Sequence, residues 1–137
     1  MNSSSSWLLS GLILVGITAV LGLVYIWVFP RARPMTHWEA RVAIKNGLVS
    51  AVVDVRTPEE YEAGHYPRAI HIPLNDIPRE LPQRIPDRKT AILFYCQSGR
   101  HSMTAARWAQ DLGYADIYYL SNASYPDLEP QYNMLNV

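Results

Sequence analysis

A single cysteine, Cys96, stands where the apolar run Ala91-Ile92-Leu93-Phe94-Tyr95 gives way to Gln97-Ser98-Gly99-Arg100-His101-Ser102. A lone thiol can be no more than a small hydrophobe with a weak S–H donor. A thiol that ends a strand, ahead of a glycine turn and a helix, has different surroundings. Successive backbone N–H groups of such a turn form a concavity for anions, and the helix N-terminus adds about half a positive charge. Both favour thiolate over thiol, and the thiolate is the nucleophile. Gly99 allows backbone angles that a β-carbon would forbid. Arg100 and His101 offer donors to an anionic substrate or product, and the hydroxyls of Ser98 and Ser102 can bond to it or cap the helix. The chemistry implied is nucleophilic attack by sulfur with no metal, because one cysteine and four scattered histidines show no metal-ligand spacing.

The elements that must hold this loop can be read around it. Thr36-His37-Trp38-Glu39 is a capping-box pattern that opens a helix running to Asn46, with Gly47 as a left-handed stop. Ala51 to Val55 is a short buried strand. Thr57-Pro58-Glu59-Glu60 opens a second helix that Gly64 ends within two turns. Ala69 to Pro73 is a further strand, and the proline-rich segment from Leu74 to Asp87 allows only short helical pieces. Ala91 to Tyr95 is the third strand. A helix from Ser102 to Leu112 carries the stripe Ala105, Trp108, Ala109 and Leu112, and Ile117 to Leu120 is the fourth strand. Such alternation predicts an α/β domain with a mostly parallel central sheet flanked by helices. In open α/β sheets ligands bind beyond the carboxyl ends of the strands, where Cys96 falls.

The chain has 137 residues and a formal net charge of zero, and all its charged side chains lie beyond Pro30. No concentrated basic patch suggests a nucleic-acid partner. From Trp7 to Phe29 the sequence is almost continuously apolar, about 35 Å of helix against a hydrocarbon core of about 30 Å. Trp7, Tyr25 and Trp27 suit the two interfaces. A cleaved signal peptide would want a basic start, a shorter apolar stretch and a small-residue cleavage site, and none of these is present. The expected organisation is a short tail over residues 1–6, one transmembrane helix over 7–29 in contact with the lipid bilayer, a stiff linker over 30–34 and one domain over 35–137. Arg31, Arg33, Arg41 and Lys45 follow the helix and no Lys or Arg precedes it. The positive-inside rule then puts the N-terminus outside and the domain in the cytoplasm, with a bacterial inner membrane as the expected setting. A reducing compartment would also keep a lone thiol free. Gly11, Gly16 and Gly22 form no clean small-xxx-small repeat, so no helix-driven dimer is predicted.

Several separated blocks resemble the rhodanese-like sulfurtransferase domain, from Met35 to about Tyr125. Asp54-Val55-Arg56, Glu59-Glu60-Tyr61, Gly64-His65-Tyr66-Pro67 and Ala69-Ile70-His71-Ile72-Pro73 look like the family's first signature region. Tyr95 to Ser102, followed by Ala105-Ala106, looks like its active-site loop and helix. The resemblance implies that Cys96 takes the outer sulfur of thiosulfate or another small donor as a persulfide. A thiophilic acceptor (cyanide, a thiol or a carrier protein) then removes it. No cofactor is needed beyond that covalent intermediate. Residues 97–102 would bind substrate and persulfide. Three departures stand out. His101 takes a position usually held by Arg, Ser121-Asn122-Ala123 replaces paired glycines without the usual nearby tryptophan, and Arg68 replaces a Gly in what reads as a surface change.

Blander roles fit several residues better. Asp54 and Arg56 are expected to brace the loops rather than do chemistry, His65 and His71 to be structural, and Trp38 and Trp108 to lie in the core. A phosphatase or arsenate-reductase loop needs Arg six places after the cysteine, to clamp an oxyanion bidentately, and that position is Ser102. A non-enzymatic membrane-tethered binding or redox-sensing module is the remaining alternative.

Overall fold

Neighbouring side chains on a strand point to opposite faces of the sheet, so a strand covered on both faces reads as an unbroken apolar run. Ala51-Val52-Val53 and Ile92-Leu93-Phe94-Tyr95 are such runs. The computed structural model, which describes residues 3–28 and 31–121, makes central strands of both. In chain order the elements are α1 (Ser3–Val28), β1 (Arg33–Met35), α2 (His37–Lys45), β2 (Ala51–Asp54), α3 (Pro58–Glu62), β3 (Ile70–His71), α4 (Ile77–Arg84), β4 (Ile92–Tyr95), α5 (Arg100–Asp111) and β5 (Ile117–Leu120), with one 3-10 turn (Leu74–Asp76) leading into α4. The five strands form a single parallel sheet in the order β1-β5-β4-β2-β3.

The alternation sorts the core into two halves. Val53, Ile92 and Phe94 pack with Ile77 and Leu81 of α4 and with Ala105, Ala106 and Ala109 of α5. Val52, Leu93 and Tyr95 pack instead with Ala40 and Ala43 of α2. Each fully buried Leu, Ile or Phe contributes roughly 1.5–3 kcal/mol, and the three alanines let α5 lie close against the sheet. The α/β architecture expected from the alternation is the one observed. Both expected capping boxes are present, with Thr36 accepting from the Glu39 N–H and Thr57 from the Glu60 N–H, each at 3.3 Å. Gly47 is left-handed, with φ of 72°.

Several boundaries differ from the sequence reading. Residues 33–34, expected in the linker, belong to β1, which pairs Arg33 with Tyr118 and Met35 with Leu120 on β5. An edge strand this short and charged gives no periodic signal, and only its neighbour makes it a strand. Helix α5 starts at Arg100 rather than Ser102. Trp108 is half-buried against the core, but Trp38 is 64% exposed, because Ala40 and Ala43 take the inner side of α2. The segment following Ser121, including the expected packing of 124–137, lies outside the described residues.

The apolar N-terminal helix is a separate unit, split from the domain at Pro30. It starts at Ser3, earlier than Trp7. From Trp7 to Tyr25 it is long and apolar enough to cross a membrane, and its large side chains are exposed. The Thr18 hydroxyl within it is satisfied locally, since its Oγ1 lies 3.1 Å from the Leu14 carbonyl and 3.0 Å from that of Val15.

Arg68 is the one non-glycine residue with positive φ among those described, at 64°. It follows Pro67 in a turn closed by the Ala69 N–H donating to the Tyr66 carbonyl at 2.9 Å. Proline second and a left-handed residue third is the type II pattern, which favours glycine at the third position. The surface change is therefore also a strained one. Replacing the side chain removes a left-handed penalty of about 1–2 kcal/mol and adds back part of it as glycine's chain entropy. Arg68→Gly should raise the stability of the domain by about 0.5–1 kcal/mol in urea unfolding.

Candidate active site

The strand order reverses direction between β2 and β4. From β2 the chain moves outward to β3, and from β4 it moves the other way to β5. Crevices beyond the carboxyl ends of such strands are where α/β sheets hold ligands. Asp54 ends β2 and Arg56 lies just beyond it, Cys96 follows β4, and Asp54 is in register with Tyr95.

Asp54 is fully buried and Arg56 nearly so. The Arg56 Nε donates to Oδ1 at 3.0 Å and to Oδ2 at 3.1 Å, and its Nη2 donates to Oδ2 at 2.6 Å. The Arg56 backbone N–H also reaches Oδ1 at 3.0 Å. The Tyr95 hydroxyl donates to Oδ2 at 2.6 Å and accepts from the Tyr66 N–H at 3.1 Å. The remaining reach of Arg56 Nη2 goes to the Gly64 carbonyl at 2.7 Å. The hydrogen bond to Asp54 holds Arg56 above its ordinary basicity. Burial pushes the Tyr95 phenol well above its ordinary range, and the bond to Asp54 adds to that. His71 donates from Nε2 to the Arg56 carbonyl at 3.0 Å, and His65 from Nδ1 to the Tyr61 carbonyl at 2.9 Å. Both rings stack on Tyr61, with centroids 4.3 and 3.7 Å away. All these groups brace the loops.

Cys96 itself is buried, with 1% exposure. The Gly99 N–H donates to its Sγ at 3.0 Å, and an N–H aimed at sulfur stabilises negative charge there. That aim depends on Gly99, whose φ of 84° lets the chain turn back over the sulfur and enter α5 directly. Ser102 is fully buried, and its Oγ lies 2.8 Å from the Gly99 carbonyl and 2.9 Å from the Leu120 carbonyl. A hydroxyl has one proton, so with two carbonyls in reach its lone pairs are what face the sulfur, 3.7 Å away. Ser102 therefore ties the loop to β5 rather than capping α5. Gln97, Ser98, Arg100 and His101 are exposed around the mouth. The structure thus brings together Cys96, Gly99 and Ser102, sets the other loop residues at the rim, and keeps Asp54 and Arg56 behind the strand ends. The Tyr95 hydroxyl and the Leu120 carbonyl were not singled out in the sequence. Tyr95 beside the cysteine could have been, because a buried phenol needs a partner.

The loop that holds this sulfur lies within a stretch matched by a family model. Residues 37–125, more than half of the chain, match the rhodanese-like domain. The chain belongs to the rhodanese-like family. Thiosulfate sulfurtransferase PspE of Escherichia coli (strain K12) is 34% identical over 65 residues, which are 47% of this chain and 62% of that protein. A sulfurtransferase of Allochromatium vinosum is 35% identical over 69 residues, 50% of this chain and 63% of that protein. Among solved structures, a human single-domain sulfurtransferase aligns with a TM-score of 0.60 at 26% identity, covering 70% of this chain and 94% of that one. The chain spans less than two thirds of the curated relatives it matches. A rhodanese-like domain accounts for the parallel sheet and for the loop between β4 and α5.

The buried phenol makes stability depend on alkaline pH. Below about pH 10 folded and unfolded chains both keep the Tyr95 proton, and its contribution is complete. Above that, the unfolded chain releases a proton that the folded chain retains, so stability falls as pH rises. Denaturant unfolding of Tyr95→Phe should show a shallower decline above about pH 10. At neutral pH it should be less stable by about 1–3 kcal/mol, for the lost hydrogen bond to Asp54 and the Tyr66 N–H left unpaired.

Proposed function

We propose that this rhodanese-like chain is a membrane-anchored sulfurtransferase whose Cys96 carries sulfane sulfur as a persulfide. The observation that carries the reading is the Gly99 N–H directed at the Cys96 sulfur at 3.0 Å, at the head of a twelve-residue helix. The named activity of two sulfurtransferase relatives supports the same reaction class. The Cys96 thiolate, its proton given to solvent, attacks the outer sulfur of thiosulfate. The S–S bond breaks, and sulfite leaves with the bonding pair. The new persulfide places its outer sulfur toward the loop mouth, where Gln97, Ser98, Arg100 and His101 lie. A thiolate or cyanide then attacks that sulfur and expels Cys96 thiolate. Each half is a displacement at sulfur that needs no metal. The apolar, fully exposed helix from Trp7 to Tyr25 supports a retained membrane anchor.

Intact mass of the purified chain tests the mechanism. Exposure to thiosulfate should add one sulfur atom, which cyanide removes and Cys96→Ser abolishes. No gain with either thiosulfate or a thiol persulfide would sink the sulfurtransferase reading. The rim supplies a second test. His101 is exposed and without a partner among the described residues. A permanent cation there should favour a dianionic donor, so His101→Arg should lower KM for thiosulfate by up to about fivefold, the range of an exposed ion pair, with kcat little changed.

A further inference from the structure

Helix α2 buries one side and leaves the other without a partner among the described residues. Ala40 and Ala43 pack on the sheet with Val52 and Leu93. Trp38 and Val42, one turn apart, are 64% and 39% exposed, and Leu48 just past the helix is 63% exposed. At helical spacing Trp38, Arg41, Val42 and Lys45 share this outer face. Neither Arg41 nor Lys45 has an ion-pair partner among the described residues. The acidic residue of the helix, Glu39, is folded back on Thr36, accepting from its N–H at 2.8 Å and its hydroxyl at 2.9 Å.

Large apolar side chains set between long cationic ones suit the headgroup layer of an anionic bilayer. Tryptophan favours that depth, and lysine and arginine meet lipid phosphates there. The chain itself supplies proximity. Residues 29–36 join α1 to α2, and fully extended they reach no more than about 30 Å.

We propose that the outer face of α2 docks on an anionic lipid surface, with Trp38, Val42 and Leu48 entering the headgroup layer and Arg41 and Lys45 pairing with lipid phosphates. The inference rests on the reading of α1 as a membrane anchor. Helix α5 packs on the opposite face of the sheet from α2. A domain resting on α2 therefore turns its α5 face to water and holds the cysteine loop, on the carboxyl edge, at one fixed orientation for sulfur donors and acceptors.

The test uses the full chain with Cys96→Ser, reconstituted into phosphatidylcholine vesicles with or without phosphatidylglycerol. An environment-sensitive fluorophore is placed at Val42→Cys or, as control, at Gln83→Cys on the exposed side of α4. Flotation reports anchoring separately. With phosphatidylglycerol, the label at position 42 should shift to the blue and be quenched by lipid-borne quencher, and the label at 83 should not. Removing both cations, Arg41→Gln with Lys45→Gln, should lower the docked-to-free ratio about thirtyfold. A chain that floats while position 42 stays water-like overturns the docking inference and leaves the anchor standing. Equal responses at 42 and 83, or an equal response on pure phosphatidylcholine, also overturn it. A label at 42 that is protected only in native membranes assigns the face to a protein partner instead. A chain that does not float removes the anchor, and the docking inference with it.

Discussion

The Asp54 carboxylate sits at the end of β2 with no access to solvent. An ionised carboxylate in that setting is tolerated only if its oxygens are occupied, since a lone buried charge costs several kcal/mol. Both oxygens are occupied here: Oδ1 by the Arg56 backbone and Nε, Oδ2 by the Arg56 guanidinium and the Tyr95 hydroxyl. The donors come from two different pieces of the sheet's carboxyl edge. Arg56 reaches on to the Gly64 carbonyl beyond α3, and Tyr95 is the last residue before the cysteine. A hydrophobic cluster of the same volume could match the net stability of such a pair. It could not join the end of β2, the loop beyond α3 and the start of the cysteine loop through directed bonds. The value of the pair is positional.

From Tyr95 the geometry of the sulfur follows in few steps. The strand ends, Gly99 takes a left-handed conformation, and its N–H turns onto Cys96. Ser102 closes the loop from the far side by bonding toward the carbonyls of Gly99 and Leu120. The loop is thus held by β2 through Asp54 and by β5 through Ser102, with β4 between them. A sulfur held in this way faces a fixed donor, so little reorganisation is needed when charge appears on it. The rim residues Arg100 and His101 are exposed and have no comparable constraint.

Three kinds of apolar surface coexist in this molecule. The domain buries its apolar runs between α2 on one face and α4 and α5 on the other. Helix α1 is apolar on every side and has nothing to bury against within its own unit, a pattern that belongs in lipid. The exposed Trp38 and Val42 form a third, smaller surface, and the cations beside them make it suited to an interface rather than to a core.

The repeating features of the chain were legible without a structure. Unbroken apolar runs named β2 and β4, the two Thr-x-x-Glu boxes named the starts of α2 and α3, and the strand–glycine–helix order marked Cys96 as the candidate nucleophile. These signals are local: each depends on propensity or on bonds within a few residues. What only the tertiary structure decided was non-local. Arg33 to Met35 became a strand because β5 offered it an edge, and Trp38 turned outward because two alanines elsewhere on α2 fitted the sheet better. Arg68 was read as a surface change, but the turn it occupies is left-handed. Ser102 had been free to cap a helix or touch substrate, and the Leu120 carbonyl, distant in sequence, drew it into the wall. A sequence records which groups need partners; which partner each receives is set by the packing that brings distant strand ends together.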